Sequence, residues 1–83
     1  MPYIERAFRT IFDEGLCKVA TPKRVGQLNY VFTTVIQDYL GKVPNYQRFN
    51  DAIGALEACK LELYRRMVAP YEDKKIAENG DVY

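Results

Sequence analysis

Histidine and tryptophan are both missing from this 83-residue chain. Without histidine there is no Ser-His or Cys-His dyad of the usual kind, and no complete zinc set. Cysteine is scarce: Cys17 and Cys59 lack metal-ligand spacing and read as free thiols of a reducing compartment. No glycine-rich phosphate loop and no paired-carboxylate cleft stands out. No apolar run approaches the roughly 20 residues of a membrane span. The opening MPYIERAFR has no apolar centre of the kind an export signal needs. An excess of one charge is absent as well. Twelve basic residues face 11 acidic ones, a net charge of +1, so nothing draws the whole chain toward nucleic acid or anionic lipid. The basic cluster Pro22-Lys23-Arg24 is too short to count as a nucleic-acid signature. These absences give the expectation of a soluble, cytoplasmic, non-catalytic protein without membrane, nucleic acid, metal or cofactor.

What is present reads as one globular domain spanning 1–83, with 48% hydrophobic and 28% charged residues. A chain this short buries only about 60% of its unfolded surface and usually needs a staple. With disulfide and metal set aside, self-association is the staple left, so a homo-oligomer is expected.

Three segments have helical rhythm. Ile4, Ala7, Phe8, Ile11 and Phe12 recur at the steps of one helix face, and Gly15 ends or loosens that helix. CKVATPKRVGQ follows as a connector holding two breakers, Pro22 and Gly26. In QLNYVFTTVIQDYLG the β-branched content suggests a strand. Its spacing favours a helix: Leu28, Val31, Phe32, Val35, Ile36 and Tyr39 gather on one side, with Thr33, Thr34 and Gln37 opposite. Gly41 marks its end, and Asn45 is placed to cap the next helix after Pro44. The third helix, roughly 46–68, carries the stripe Phe49, Ile53, Leu56, Leu63 and Met67. Pro70 kinks or stops it and suits the first turn of a short last helix that ends at Asn79-Gly80. The expected fold is all-α: a small three-helix domain, a helical hairpin plus the N-terminal helix, with a Pro-kinked C-terminal helical segment.

Candidate binding residues follow from position. Lys60 falls about 20° from Phe49 on the helical wheel, inside the apolar stripe. Either its stem lies on apolar surface with the ammonium in water, or the ammonium is held by Glu57 or Asn29 to grip an anion. Asn29 and Asn50 sit at stripe margins, placed for interhelical hydrogen bonds or for a ligand. Arg65 and Arg66 offer forked donors for phosphate or carboxylate. The plain alternative is salt bridging with Glu62, Glu72, Asp73 and Glu78. Seven tyrosines, Tyr64 and Tyr71 among them, supply stacking faces or contact surface.

LNYV (28–31), NYxRxN (45–50), IGALEACKLELYRR (53–66) and APYEDKKIAENGDVY (69–83) together resemble a family of very short, uncharacterised proteins encoded by phages and bacteria. The resemblance covers residues 27–83, and the first segment shares only MPYI. It implies a phage or mobile-element setting, in the host cytoplasm, where tiny proteins act stoichiometrically. The functional expectation is a non-catalytic binder of a small anionic, nucleotide-like ligand, a host signal that it sequesters. Lys60, Arg65 and Arg66 would supply charge, Tyr64 and Tyr71 stacking, and Asn29 and Asn50 orientation. The alternatives are an interaction module or inhibitor of a host protein, and an assembly component.

Overall fold

The computed structural model describes residues 4–83; Tyr3 of the tyrosine set lies outside them. The protein is all-α, with a long C-terminal helical segment and no strand among the described residues. It divides into two compact units, Met1–Gly41 and Lys42–Tyr83.

The first unit holds α1 (Arg6–Leu16) and α2 (Val25–Leu40). α1 ends one residue past Gly15, at Leu16. The chain then tightens: Lys18 N–H donates to Gly15 O at 3.1 Å and Val19 N–H to Leu16 O at 3.1 Å. α2 begins earlier than the connector reading allowed, so Gly26 stands in its first turn. The reason is local. Gln27, in that same turn, reaches back with Oε1 to accept from Lys23 N–H at 2.8 Å, which ties down the entering chain much as a capping box does. The strand-like YVFTTVI is helical, as its spacing requires. Thr33, a poor helix former, donates its hydroxyl to Asn29 O at 2.8 Å. Gly41 closes α2 at φ 74°, ψ −170°, backbone that only glycine enters without strain. Among the described residues, α1 and α2 do not pack backbone to backbone.

The second unit holds α3 (Tyr46–Leu63), a π-helical turn (Tyr64–Val68) and α4 (Ala69–Asn79). Asn45 caps α3 as its position predicts: its side-chain oxygen accepts from Arg48 N–H at 2.9 Å. Gln47 adds a side-chain bond to Asp51 one turn on, at 2.8 Å. At the other end Gly80 turns out of α4 at φ 87°, its N–H donating to Ile76 O at 2.8 Å.

Pro70 neither stops nor isolates α4. Leu63, Val68 and Ala69 all keep right-handed helical dihedrals, so the helical backbone runs unbroken from Tyr46 to Asn79. The adjustment is the π turn, in which Ala69 N–H donates to Tyr64 O, five residues back. A proline has no N–H to give and its ring crowds the carbonyl four residues before it, here that of Arg66. A widened turn forfeits a hydrogen bond in that stretch anyway and opens the spacing between carbonyl and ring.

The apolar stripes are where the sequence puts them, yet almost nothing covers them. Ala52 is the one buried residue among those described. Phe8, Phe12, Phe32 and Tyr39 of the first unit are all about half exposed, as are Phe49, Leu56 and Leu63 of the second. Ile53 and Met67 are 66% and 67% exposed. The helices have amphipathic faces but no core of their own.

Candidate functional site

Six of the seven predicted binding residues lie on the helical run of the second unit, and three of them, Tyr64, Arg65 and Arg66, stand in the π turn. A regular α-helix makes two turns in about 7.2 residues. A π turn takes in roughly one residue more, so eight residues then complete close to two turns. That arithmetic brings Glu72 under Tyr64. The phenol hydroxyl donates to the Glu72 carboxylate at 3.0 and 3.1 Å. The shared proton and the carboxylate charge hold the Tyr64 hydroxyl above its ordinary value of 10.0, with Asp73 adding to the effect.

Arg65 and Arg66 turn to one carboxylate. Glu62 Oε2 accepts from Arg66 Nε at 2.6 Å and from Arg65 Nη2 at 3.0 Å. Hydrogen bonds first from Arg66 and then from Arg65 lower the Glu62 carboxyl from its ordinary 4.5. Its side chain is 28% exposed, against more than 60% for each arginine. Lys60 pairs with Glu57 at 3.4 Å and is largely in water. Lys75 lies over the Tyr71 ring, 5.6 Å from its centroid, and reaches Glu78 at 3.2 Å. The salt-bridging alternative weighed from the sequence is therefore present at Arg65 and Arg66, and Lys75 pairs in the same way with Glu78.

Distance along the axis separates the others. Asn50 stands fifteen residues before Arg65, about 22 Å at the α-helical rise, beyond the reach of both side chains. Asn29 belongs to α2 in the first unit, where its carbonyl holds Thr33. A free helix N-terminus at Pro70, which would add backbone donors for an anion, does not exist, because α4 begins inside a continuous helix. Sequence reasoning missed the Tyr64–Glu72 pair and the Lys75–Tyr71 stack. Regular periodicity puts Tyr64 and Glu72 about 80° apart. The only hint of the extra residue was Pro70 itself.

None of the seven residues lines either surface hollow described here. The larger, about 490 Å³ and open, lies between the connector and α2, against Thr21, Pro22, Gly26, Tyr30 and Val31. The smaller, about 340 Å³, lies between the end of α4 and the last residues, Asp81 to Tyr83. Among the described residues no group of three or more acidic or sulfur side chains is arranged to hold a metal, and no helix is long and apolar enough to cross a membrane. The arrangement at the π turn is a set of paired charged groups with two aromatic rings, built on one helix and open to water.

The chain belongs to the family described as Domain of unknown function (DUF6899), which matches residues 1–82. No curated protein and no solved structure matches it significantly.

Proposed function

We propose that this protein is a non-catalytic interaction module that folds and acts by associating, as a homo-oligomer, with protein–protein contact as its primary activity. The observation that supports this reading is the state of the apolar stripes. Helices shorter than about 12–15 residues are marginal in water alone, and helical stability in proteins comes from burying an amphipathic face. Here each helix has that face, and among the described residues Ala52 alone is buried. Each large apolar side chain taken fully out of water contributes about 1.5–3 kcal/mol. More than a dozen such side chains remain at least 40% exposed, so a large share of that stabilisation is held in reserve for a partner. The setting on this reading is a bacterial cytoplasm, that of the host if the chain is phage-encoded. There the protein would occupy a host protein stoichiometrically.

Melting followed by circular dichroism across a hundredfold range of protein concentration tests the reading. A midpoint that climbs with concentration is expected, since association stabilises by mass action. A cooperative melt whose midpoint ignores concentration, from a chain that sediments as a monomer, refutes it.

A second reading, capture of a small anionic, nucleotide-like ligand, is favoured by one observation. Tyr64, Arg65 and Arg66 share a single turn, with Tyr71 and Lys75 following within the next two. An anion would have to displace or share Glu62, which occupies both guanidinium groups. Thermal-shift measurements with cyclic and linear nucleotides decide it. A true ligand at a hundred times its Kd adds about 2.7 kcal/mol, and no shift at millimolar nucleotide discards the idea.

A further inference from the structure

We infer that the apolar stripe of α3 is covered by the same stripe of a second copy, running antiparallel about a two-fold axis level with Ala58. The inference rests on the association reading above and names its partner and surface.

The stripe is palindromic in position. Phe49 and Met67 stand nine residues either side of Ala58, Ile53 and Leu63 five, Leu56 and Lys60 two. A two-fold axis perpendicular to the helix brings the level of each residue opposite that of its mirror position. Phe49 then meets the partner's Met67, Ile53 the partner's Leu63, and Leu56 the stem of the partner's Lys60. Such self-complementarity is what an isologous interface requires. All five apolar members are exposed, by 43% to 67%. At roughly 100 Å² each, they remove about 1,000 Å² from water in the pair, the area at which a specific interface becomes sustainable.

Charge selects the orientation. Residues 46–57 carry net −1 (Arg48 against Asp51 and Glu57), and 59–70 carry net +2 (Lys60, Arg65 and Arg66 against Glu62). Antiparallel pairing lays the first over the second. Parallel pairing in register sets the two Lys60 ammonium groups face to face. In the antiparallel pair they are displaced by four residues, about 6 Å along the axis, and each lies beside the partner's Glu57. Lys60 already leans toward its own Glu57 at 3.4 Å, so one carboxylate is in place to be shared. A lone polar residue in an apolar seam fixes register at some cost in stability, which gives Lys60 a reason to stand in the stripe.

Two cross-linking measurements test this. With Cys17→Ser and Cys59→Ser in place, Ile53→Cys and Leu63→Cys are introduced in separate chains and mixed under mild oxidation. In the antiparallel pair each new thiol lies about 15 Å along the axis from its own copy but opposite the other variant's. Disulfide-linked dimer only in the mixture is the expected result. Self-linking of either variant alone means parallel pairing and overturns the inference. The second measurement leaves the stripe intact. In Cys17→Ser alone, the exposed Cys59 thiols of the two copies lie one residue either side of the axis, within reach of a short bis-maleimide. Absence of linked dimer there, while sedimentation still reports an oligomer, places the interface on another face and leaves the association reading standing. A helical monomer defeats both.

Discussion

Replacing Pro70 by alanine is the sharpest perturbation of the C-terminal helical run, because it separates the cause of the π turn from its effects. Pro70 sits in the first turn of α4, and Ala69 N–H bonds five residues back to Tyr64 O. If the proline imposes that widened turn, Pro70→Ala restores both the missing donor and the room for regular α hydrogen bonds. Proline in a helix interior is about 3 kcal/mol worse than alanine. The π turn already relieves part of that, so the variant should gain about 1 kcal/mol, read from the urea midpoint. The rotation is the larger effect. Absorbing the extra residue turns α4 by about 100° relative to α3, which carries Glu72 away from Tyr64. The hydroxyl bond at 3.0–3.1 Å is then lost, and Tyr64 should titrate near its ordinary 10.0. Tyrosinate absorbance compared with that of a Tyr64→Phe control isolates this one phenol. A Pro70→Ala protein in which Tyr64 still titrates high would show that the π turn belongs to the surrounding sequence, and the reasoning from the missing N–H would fail.

Other outcomes follow from single residues. Asn45→Ala removes the acceptor for Arg48 N–H and should cost about 1 kcal/mol by chemical denaturation. Gly41 and Gly54 both have open space where a Cβ would go, so backbone alone decides their substitution. At φ 74° Gly41→Ala should destabilise by about 1–3 kcal/mol, whereas Gly54→Ala inside α3 should stabilise by about 0.8–1 kcal/mol. Acid and alkaline limbs should also separate. Glu62 is depressed, so its contribution is full above pH 4.5 and is lost as pH falls through the lowered value. Tyr64 is raised, so its contribution is full below pH 10.0 and is lost as pH rises beyond. In melting curves against pH, Glu62→Gln should flatten only the acid limb and Tyr64→Phe only the alkaline one.

Much of the fold was legible because its signals are local. Asn45 before a periodic stripe, glycine after α2 and Asn79-Gly80 after α4 each act within one turn, and each appears in place. The spacing of Leu28, Val31, Phe32 and Val35 outweighed the strand-like content of the same segment, since periodicity reports burial and β-branching only a preference. Gly26 misled because a helix start was decided by Gln27 reaching backward, a contact that composition does not announce. The site was less legible for a related reason. Wheel angles assume a constant number of residues per turn, and the π turn breaks that assumption between Tyr64 and Val68. Asn50 and Arg65 were joined in one candidate site by residue type, which ignores height along the axis. Pairing of Arg65 and Arg66 with Glu62 was readable from three- and four-residue spacing, and the structure draws both guanidinium groups onto one oxygen.

The turn from Tyr64 to Val68 also sets how this chain tolerates changes in length. It is a helix holding one more residue than its hydrogen bonds need. With Pro70 replaced by alanine, deleting any single residue from 65 to 68 would let the segment close as ordinary α-helix while leaving the faces on both sides aligned as they are now. The same deletion anywhere between Phe49 and Leu63 would swing half of the stripe a quarter-turn out of line. A deletion scan in the Pro70→Ala background should therefore find one short tolerant window inside an otherwise intolerant helix.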